Sequence, residues 1–241
     1  MNEFTASIHQ PDFFPWLGFF NKISLSKKFV VFDNVQIPLG KSWFTRNRIV
    51  LGGKETWLTL PMLKKKVPIW NAKIAADTGY KRKHLGTLRQ AYLKSPFFVE
   101  VFQLVEDLYS FDTDLVIDFN FNIIKSLLNQ FEIEVEILFA TDLLGKEFPP
   151  RFSGNQLILE ITKKIGCFNY ISGTGCVDFI EPDSFEREGI SFEFQKFAHP
   201  QYRQFNVSGE FISHMSILDC LFNIGIEKTK RLIEGTYNIT V

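Results

Sequence analysis

With 241 residues, 45% hydrophobic and only 22% charged, the chain is long and apolar enough to bury a full core, which excludes a disordered protein. The N-terminus lacks the basic and apolar regions of a signal peptide, and no apolar run approaches the about 20 residues of a membrane span, so a cytoplasmic protein is expected. The three cysteines, Cys167, Cys176 and Cys220, are widely spaced without a C-x-x-C pair and read as reduced thiols rather than a disulfide framework or zinc knuckle.

The zero net charge hides an asymmetry: residues 41–94 carry thirteen Lys and Arg against two acids, whereas residues 95–150 carry eleven acids against two lysines. A basic stretch of this kind suits a polyanion or phosphate partner, and the two segments could instead satisfy each other within the fold. The 27 phenylalanines, many in pairs, read mainly as core.

The first element is a short apolar strand, Phe4 to Ile8, ending at His9-Gln10 and a Pro-bracketed aromatic turn. Trp16 to Lys28 has helical spacing, and Phe29 to Phe32 is a compact strand ending at Asp33. A βαβ unit of this length makes the two strands parallel and brings His9, Gln10 and Asp33 to one sheet edge. After the irregular stretch 34–47, Ile49 to Leu51 and Thr56 to Leu60 flank Gly52-Gly53 as a hairpin with a slightly long turn. Residues 80–130 turn helical, broken at Ser95-Pro96 and around 110–112, with Asp112 a candidate cap.

Glu132 to Leu138 alternates acid and apolar residues, as a strand with one wet face does. Gly154 to Ile165 reads as a helix, Phe168 to Ile171 as a strand running into Ser172-Gly173-Thr174-Gly175, and Asp183 to Gly189 as a helical turn. Ile190 to Phe197 follows as a strand, then a helix over 215–223 closed by Gly225. The expected fold is α/β, a mostly parallel, Rossmann-like sheet flanked by helices, with residues 1–241 forming a single domain and about 80–130 a helical subdomain.

Strand ends carry the candidate chemistry. His9 is the leading general acid or base because imidazole titrates near neutrality, and Asp33 is placed to orient it. His199, past the strand Ile190 to Phe197, is a second acid/base, beside Tyr202 and Arg203. Arg46 and Arg48 around Asn47 suit phosphates or carboxylates, with Trp43 able to stack on a base or sugar. Ser172 and Gly173 open a Gly-rich cradle that matches neither a P-loop nor a full dinucleotide fingerprint. Asp219 and Asn223 share a helical face. Cys176 reads as an inert thiol, His84 and His214 as incidental, and no ligand spacing supports a metal.

The blocks I-H-Q-P-D-F-F-P-W-L-G-F-F-N-K-I, V-F-D-N-V-Q, S-W-F-T-R-N-R-I and W-L-T-L-P closely resemble the WbqC-like protein family, as do the later Y-I-S-G-T-G, H-P-Q-Y-R-Q and S-I-L-D-C-L-F-N-I-G. The resemblance spans nearly the whole chain. Members of that family are typically encoded in bacterial surface-polysaccharide clusters, which implies a step in O-antigen or related glycan synthesis. His9, Gln10, Lys22, Asp33, Gln36, Arg46, Asn47, Ser172, Gly173, His199, Tyr202, Asp219 and Asn223 lie in its signature blocks; Thr174 and Cys176 depart from the glycine common after the S-G element.

The expected activity is N-acyl or aminoacyl transfer, with glycine one candidate, to the amine of a nucleotide-linked amino-deoxy sugar. His9 or His199 would be the base, with Asp33 orienting it. Gln10 and Asn47 would donate to the oxyanion, and Arg46, Arg48 and the Gly loop would hold phosphates. The donor would be an aminoacyl-tRNA docked on residues 41–94 or an adenylate made from ATP. A non-catalytic scaffold of a glycan-assembly complex is the alternative of a different class.

Overall fold

The computed structural model describes residues 4–38, 40, 42–63, 66–75, 78–205 and 207–236. The masked positions include Lys41, Lys64 and Lys65, so part of the basic stretch lies outside the described residues.

The chain begins with β1 (Thr5–His9), α1 (Leu17–Ser24) and β2 (Lys28–Val31), the expected βαβ unit with parallel strands. Phe29 and Val31 pack on the α1 side of the sheet and Val30 on the other, the period-2 alternation of a strand covered on both faces. An insertion follows: the hairpin β3 (Arg46–Leu51) and β4 (Lys54–Thr59), then α2 (Tyr80–Tyr92), α3 (Phe98–Ser110) and α4 (Val116–Gln130). The hairpin turn is tighter than expected, because Gly52 and Gly53 both take positive φ (59° and 75°), the backbone a two-residue turn requires. Asp112 does not cap α4. It faces Lys81, and Thr113 Oγ1 accepts the Leu115 N–H at the start of that helix.

Next come β5 (Glu136–Phe139), α5 (Ala140–Leu144), α6 (Gly154–Lys164), β6 (Asn169–Ser172), α7 (Pro182–Glu186) and β7 (Ser191–Phe194). The alternating stretch 132–135 is not strand. Glu132 turns to φ 53°, and the N–H groups of Glu132 and Ile133 return to Asn129 and Leu128 at the end of α4, so that stretch closes the helix instead. The last element, α8 (Ile217–Ile233), runs past its expected end. Gly225 breaks the helical geometry (φ 80°, ψ 172°) against the Phe97 ring, and the helix then resumes.

The five sheet strands are all parallel, in the order β5-β2-β1-β6-β7. One core cluster joins α1, the insertion helices and α8 on one face; a second joins α6 and α7 on the other. Chain progress moves outward from β1 to β2 and β5, then returns to the other side of β1 for β6 and β7. The reversal lies between β1 and β6, and crevices at the carboxyl ends of such strands are where open α/β sheets place ligands.

Candidate functional site

A cavity of about 340 Å³ opens at that reversal. Its polar lining comes from His9 at the end of β1 and Asp12 just after it, Lys22 on α1, Asn47 and Arg48 on β3, and Gln195 after β7. Gly173 to Gly175 after β6 add main-chain surface. Trp16, Phe19, Trp43 and His214 supply rings.

His9 is held edge-on to Phe19 at 5.1 Å, with Nδ1 2.9 Å from the Gln10 carbonyl. A carbonyl only accepts, so Nδ1 carries the proton and Nε2 keeps its lone pair. Burial, reinforced by the Lys22 cation and opposed by the Gln10 hydrogen bond, pushes the ring to about 3, so it is neutral at physiological pH. Yet 34% of the side chain stays accessible, so a ligand can reach it.

Lys22 is almost wholly buried; its ammonium donates to the Ile8 carbonyl at 3.2 Å. Burial lowers it to about 8, against the opposing influence of Cys176 and Asp12. Asp12, also buried, is raised to about 7 by desolvation, with Lys22 pulling the other way. Its carboxylate stands 3.8 Å from His9 Nδ1, but that proton is already directed to Gln10.

The hairpin holds the far wall under strain. Asn47 donates to the carbonyls of Phe13 (3.2 Å) and Phe14 (2.8 Å), and Arg48 donates to the carbonyl of His214 (2.9 Å). Phe14 and His214 both have left-handed backbones, φ 40° and 58°, so neighbouring side chains on β3 clamp two strained residues beside the cavity. Arg48 also forms a two-pronged pair with Glu55, while its buried Nε lacks a partner among the described residues. Arg46 lies 4.0 Å over the Trp57 ring, with Trp43 and Trp57 both exposed beside it.

Of the residues singled out in the sequence, His9, Lys22, Trp43, Asn47, Arg48 and Gly173 line the cavity. Asp33 is engaged elsewhere. Its carboxylate accepts from Thr141 N (2.9 Å) and Thr141 Oγ1 (2.6 Å), capping α5, so it does not orient His9. The main-chain carbonyl of Gln10 holds His9 and Gln10 is not among the residues lining the cavity, while the Asn47 amide is committed to Phe13 and Phe14, which removes Asn47 from oxyanion duty. Gln36 is exposed, bridged to Pro68. Ser172 is fully buried, its hydroxyl directed at the Gly173 carbonyl.

His199 sits behind the cavity, stacked 5.9 Å from Trp16 and bonded to the Pro200 carbonyl; burial lowers it to about 4. Tyr202 and Asp219 belong to a buried network. The Asp219 carboxylate accepts from Tyr92 (2.7 Å), Tyr202 (2.8 Å) and Gln204 (2.7 Å). Asn223 bonds Phe205 N and the Asp219 carbonyl, so this helical face ties α8 to the preceding segment.

Sequence reasoning took Asp12 only as a plausible neighbour of His9, left Gln195 and His214 outside the site, and placed Lys22 only in a signature block. Lys22 carried a usable signal: a lysine on the apolar face of a helix, six residues beyond Trp16, must be paired, bent outward or functional. His84, by contrast, is a core histidine between Tyr109 and the Thr59 carbonyl.

Parallel strands with helices on both faces, and a cavity holding titratable side chains at the strand reversal, define an α/β protein with a switch-point site. The profile of the WbqC-like protein family matches residues 10–231, and the chain belongs to that family. It is also 23% identical to an uncharacterized protein, Rv1507c, of Mycobacterium tuberculosis (strain ATCC 25618 / H37Rv), over 229 residues covering 92% of this chain and 94% of the relative. No solved structure matches the chain.

Proposed function

We propose that the protein transfers an acyl or aminoacyl group to the amine of a nucleotide-linked amino sugar in bacterial surface-polysaccharide synthesis. The observation that carries this reading is the neutral His9 ring, its Nδ1–H fixed on the Gln10 main-chain carbonyl and its Nε2 without a hydrogen-bond partner among the described residues, in the same cavity as the Lys22 cation. The amine nitrogen attacks the acyl carbonyl, Nε2 takes its proton, and the leaving oxygen recovers that proton as the ester or anhydride C–O bond breaks. Lys22 replaces Gln10 and Asn47 as the donor to the developing oxyanion. Arg46, stacked on Trp57 and without a carboxylate partner among the described residues, serves the diphosphate from the strand that also carries the cavity-lining Asn47 and Arg48.

The basic stretch supports a tRNA donor in part only. Lys73 pairs with Asp114 and Lys81 with Asp112, so acids of the following segment neutralise some of its charge. The test is mass analysis of amino-sugar nucleotides incubated with the protein, amino acids, ATP, tRNA and synthetases, each omitted in turn. A gain of one aminoacyl residue supports transfer. Loss of the gain without tRNA assigns the donor, and a gain needing only ATP supports ligation. No gain on any sugar would favour a scaffold.

A further inference from the structure

Lys22 and Asp12 are an acid and a base lining one cavity, both buried, and no ion pair joins them among the described residues. Desolvating two such groups without joining them is unfavourable unless something completes them. The Lys22 ammonium has three N–H donors and uses one, on Ile8. Among the described residues no hydrogen-bond donor reaches the Asp12 carboxylate, and the nearby His9 proton is committed to Gln10. The open space between them is bounded by Gly173, where a side-chain carbon would sit 3.5 Å from Nζ.

A ligand fitting this gap needs a cation at one end and an electron-rich oxygen a few bonds away. A free ammonium on its own would leave Lys22 unsatisfied, and a simple acyl group would leave Asp12 unsatisfied. An α-ammonium next to a carbonyl meets both demands.

We propose that Asp12 and Lys22 form an aminoacyl subsite, Asp12 holding the α-ammonium of the donor and Lys22 its carbonyl oxygen. This rests on the transfer reading above and narrows it, from acyl groups in general to those bearing a free α-amine. The ammonium stays protonated on Asp12 and therefore does not compete with the acceptor amine, while the carbonyl is polarised on the Lys22 side and His9 Nε2 receives the acceptor's proton. Neither the α-ammonium nor Asp12 changes its bonding in the transfer step.

The probes are glycinamide, which carries the ammonium and carbonyl, acetamide, which lacks the ammonium, and free glycine, which adds a carboxylate. Each is titrated into the isotope-labelled full chain near neutral pH while the amides of Gly173 and Gly175 are followed by NMR. Glycinamide is expected to bind at least about tenfold more tightly than acetamide, the factor that about 1.4 kcal/mol confers. Asp12→Asn, almost the same shape, is expected to erase that difference, and Lys22→Met to weaken both probes.

Equal affinity for glycinamide and acetamide in the unaltered protein would overturn the proposal without any variant. So would a preference that survives Asp12→Asn, or free glycine outbinding glycinamide, which would make Lys22 a carboxylate site. A glycinamide preference without transfer to any amino sugar would retain the subsite and remove the acceptor; transfer without the preference would do the reverse.

Discussion

His9 Nδ1 lies 2.9 Å from the carbonyl oxygen of Gln10, the residue that follows it, and this one contact sets the tautomer of the ring. The bare Nε2 needs no neighbouring carboxylate, unlike arrangements in which an acid orients the imidazole. Asp12, 3.8 Å from Nδ1, accepts no hydrogen bond from it.

The imidazole of His9 should therefore remain neutral, with its proton on Nδ1, from pH 8 down to well below the ordinary histidine midpoint of about 6.5. Imidazole 15N shifts read both properties. Because the Lys22 cation helps hold His9 down, Lys22→Met should move the His9 midpoint upward. An unchanged midpoint would mean that Lys22 does not act on the ring.

Asn47→Ala should destabilise the protein by about 1–3 kcal/mol, since it strands the buried Phe13 and Phe14 carbonyls beside a left-handed residue. Denaturant unfolding measures this. A change within a few tenths of a kcal/mol would show that water takes over both carbonyls.

Gly18 has no room for a side chain: a Cβ there would lie 2.3 Å from atoms of the Trp16 ring, which lines the cavity. Gly18→Ala favours helix formation in α1 and should leave folding intact, yet it must turn the Trp16 indole. The tryptophan emission spectrum should shift and ligand affinity should fall several-fold. Unaltered emission would place the ring's freedom elsewhere.

His84 supplies a pH-dependent stability term with a definite sign. Its Nε2 donates to Thr59 O and its Nδ1 accepts from Tyr109, so only the neutral ring fits, and burial lowers it to about 4. A histidine whose folded midpoint is lowered stabilises fully above the unfolded value of about 6.5 and loses that contribution as pH falls toward 4. The stability gap between the unaltered protein and His84→Gln should therefore shrink between pH 7 and 4.5. A constant gap would show that His84 does not titrate differently in the two states.

The sheet was legible because its strands are short apolar runs ending in turn residues, and the parallel βαβ start brought His9 to the correct edge. Local pattern failed where tertiary bonding won. The alternating stretch 132–135 was claimed by the carbonyls of α4, and Asp33 was claimed by the start of α5, a partner 108 residues away. That Asp12 and Lys22 share one cavity was hidden for a similar reason: the lysine stands out on its apolar helix face, but its neighbours appear only once a loop and a helix are folded against β6. Asp219 was conspicuous as a polar residue on an apolar helix, but two tyrosines and a glutamine from other segments fill its acceptor sites and make it structural.

The most direct measurement is the single-turnover rate of aminoacyl transfer to an amino-sugar nucleotide by the unaltered protein and by His9→Ala, with folding checked by circular dichroism. Loss of a general base is expected to slow the folded variant by about 10²–10⁴-fold. A folded His9→Ala protein that transfers at the original rate would contradict the assignment of His9 as the base.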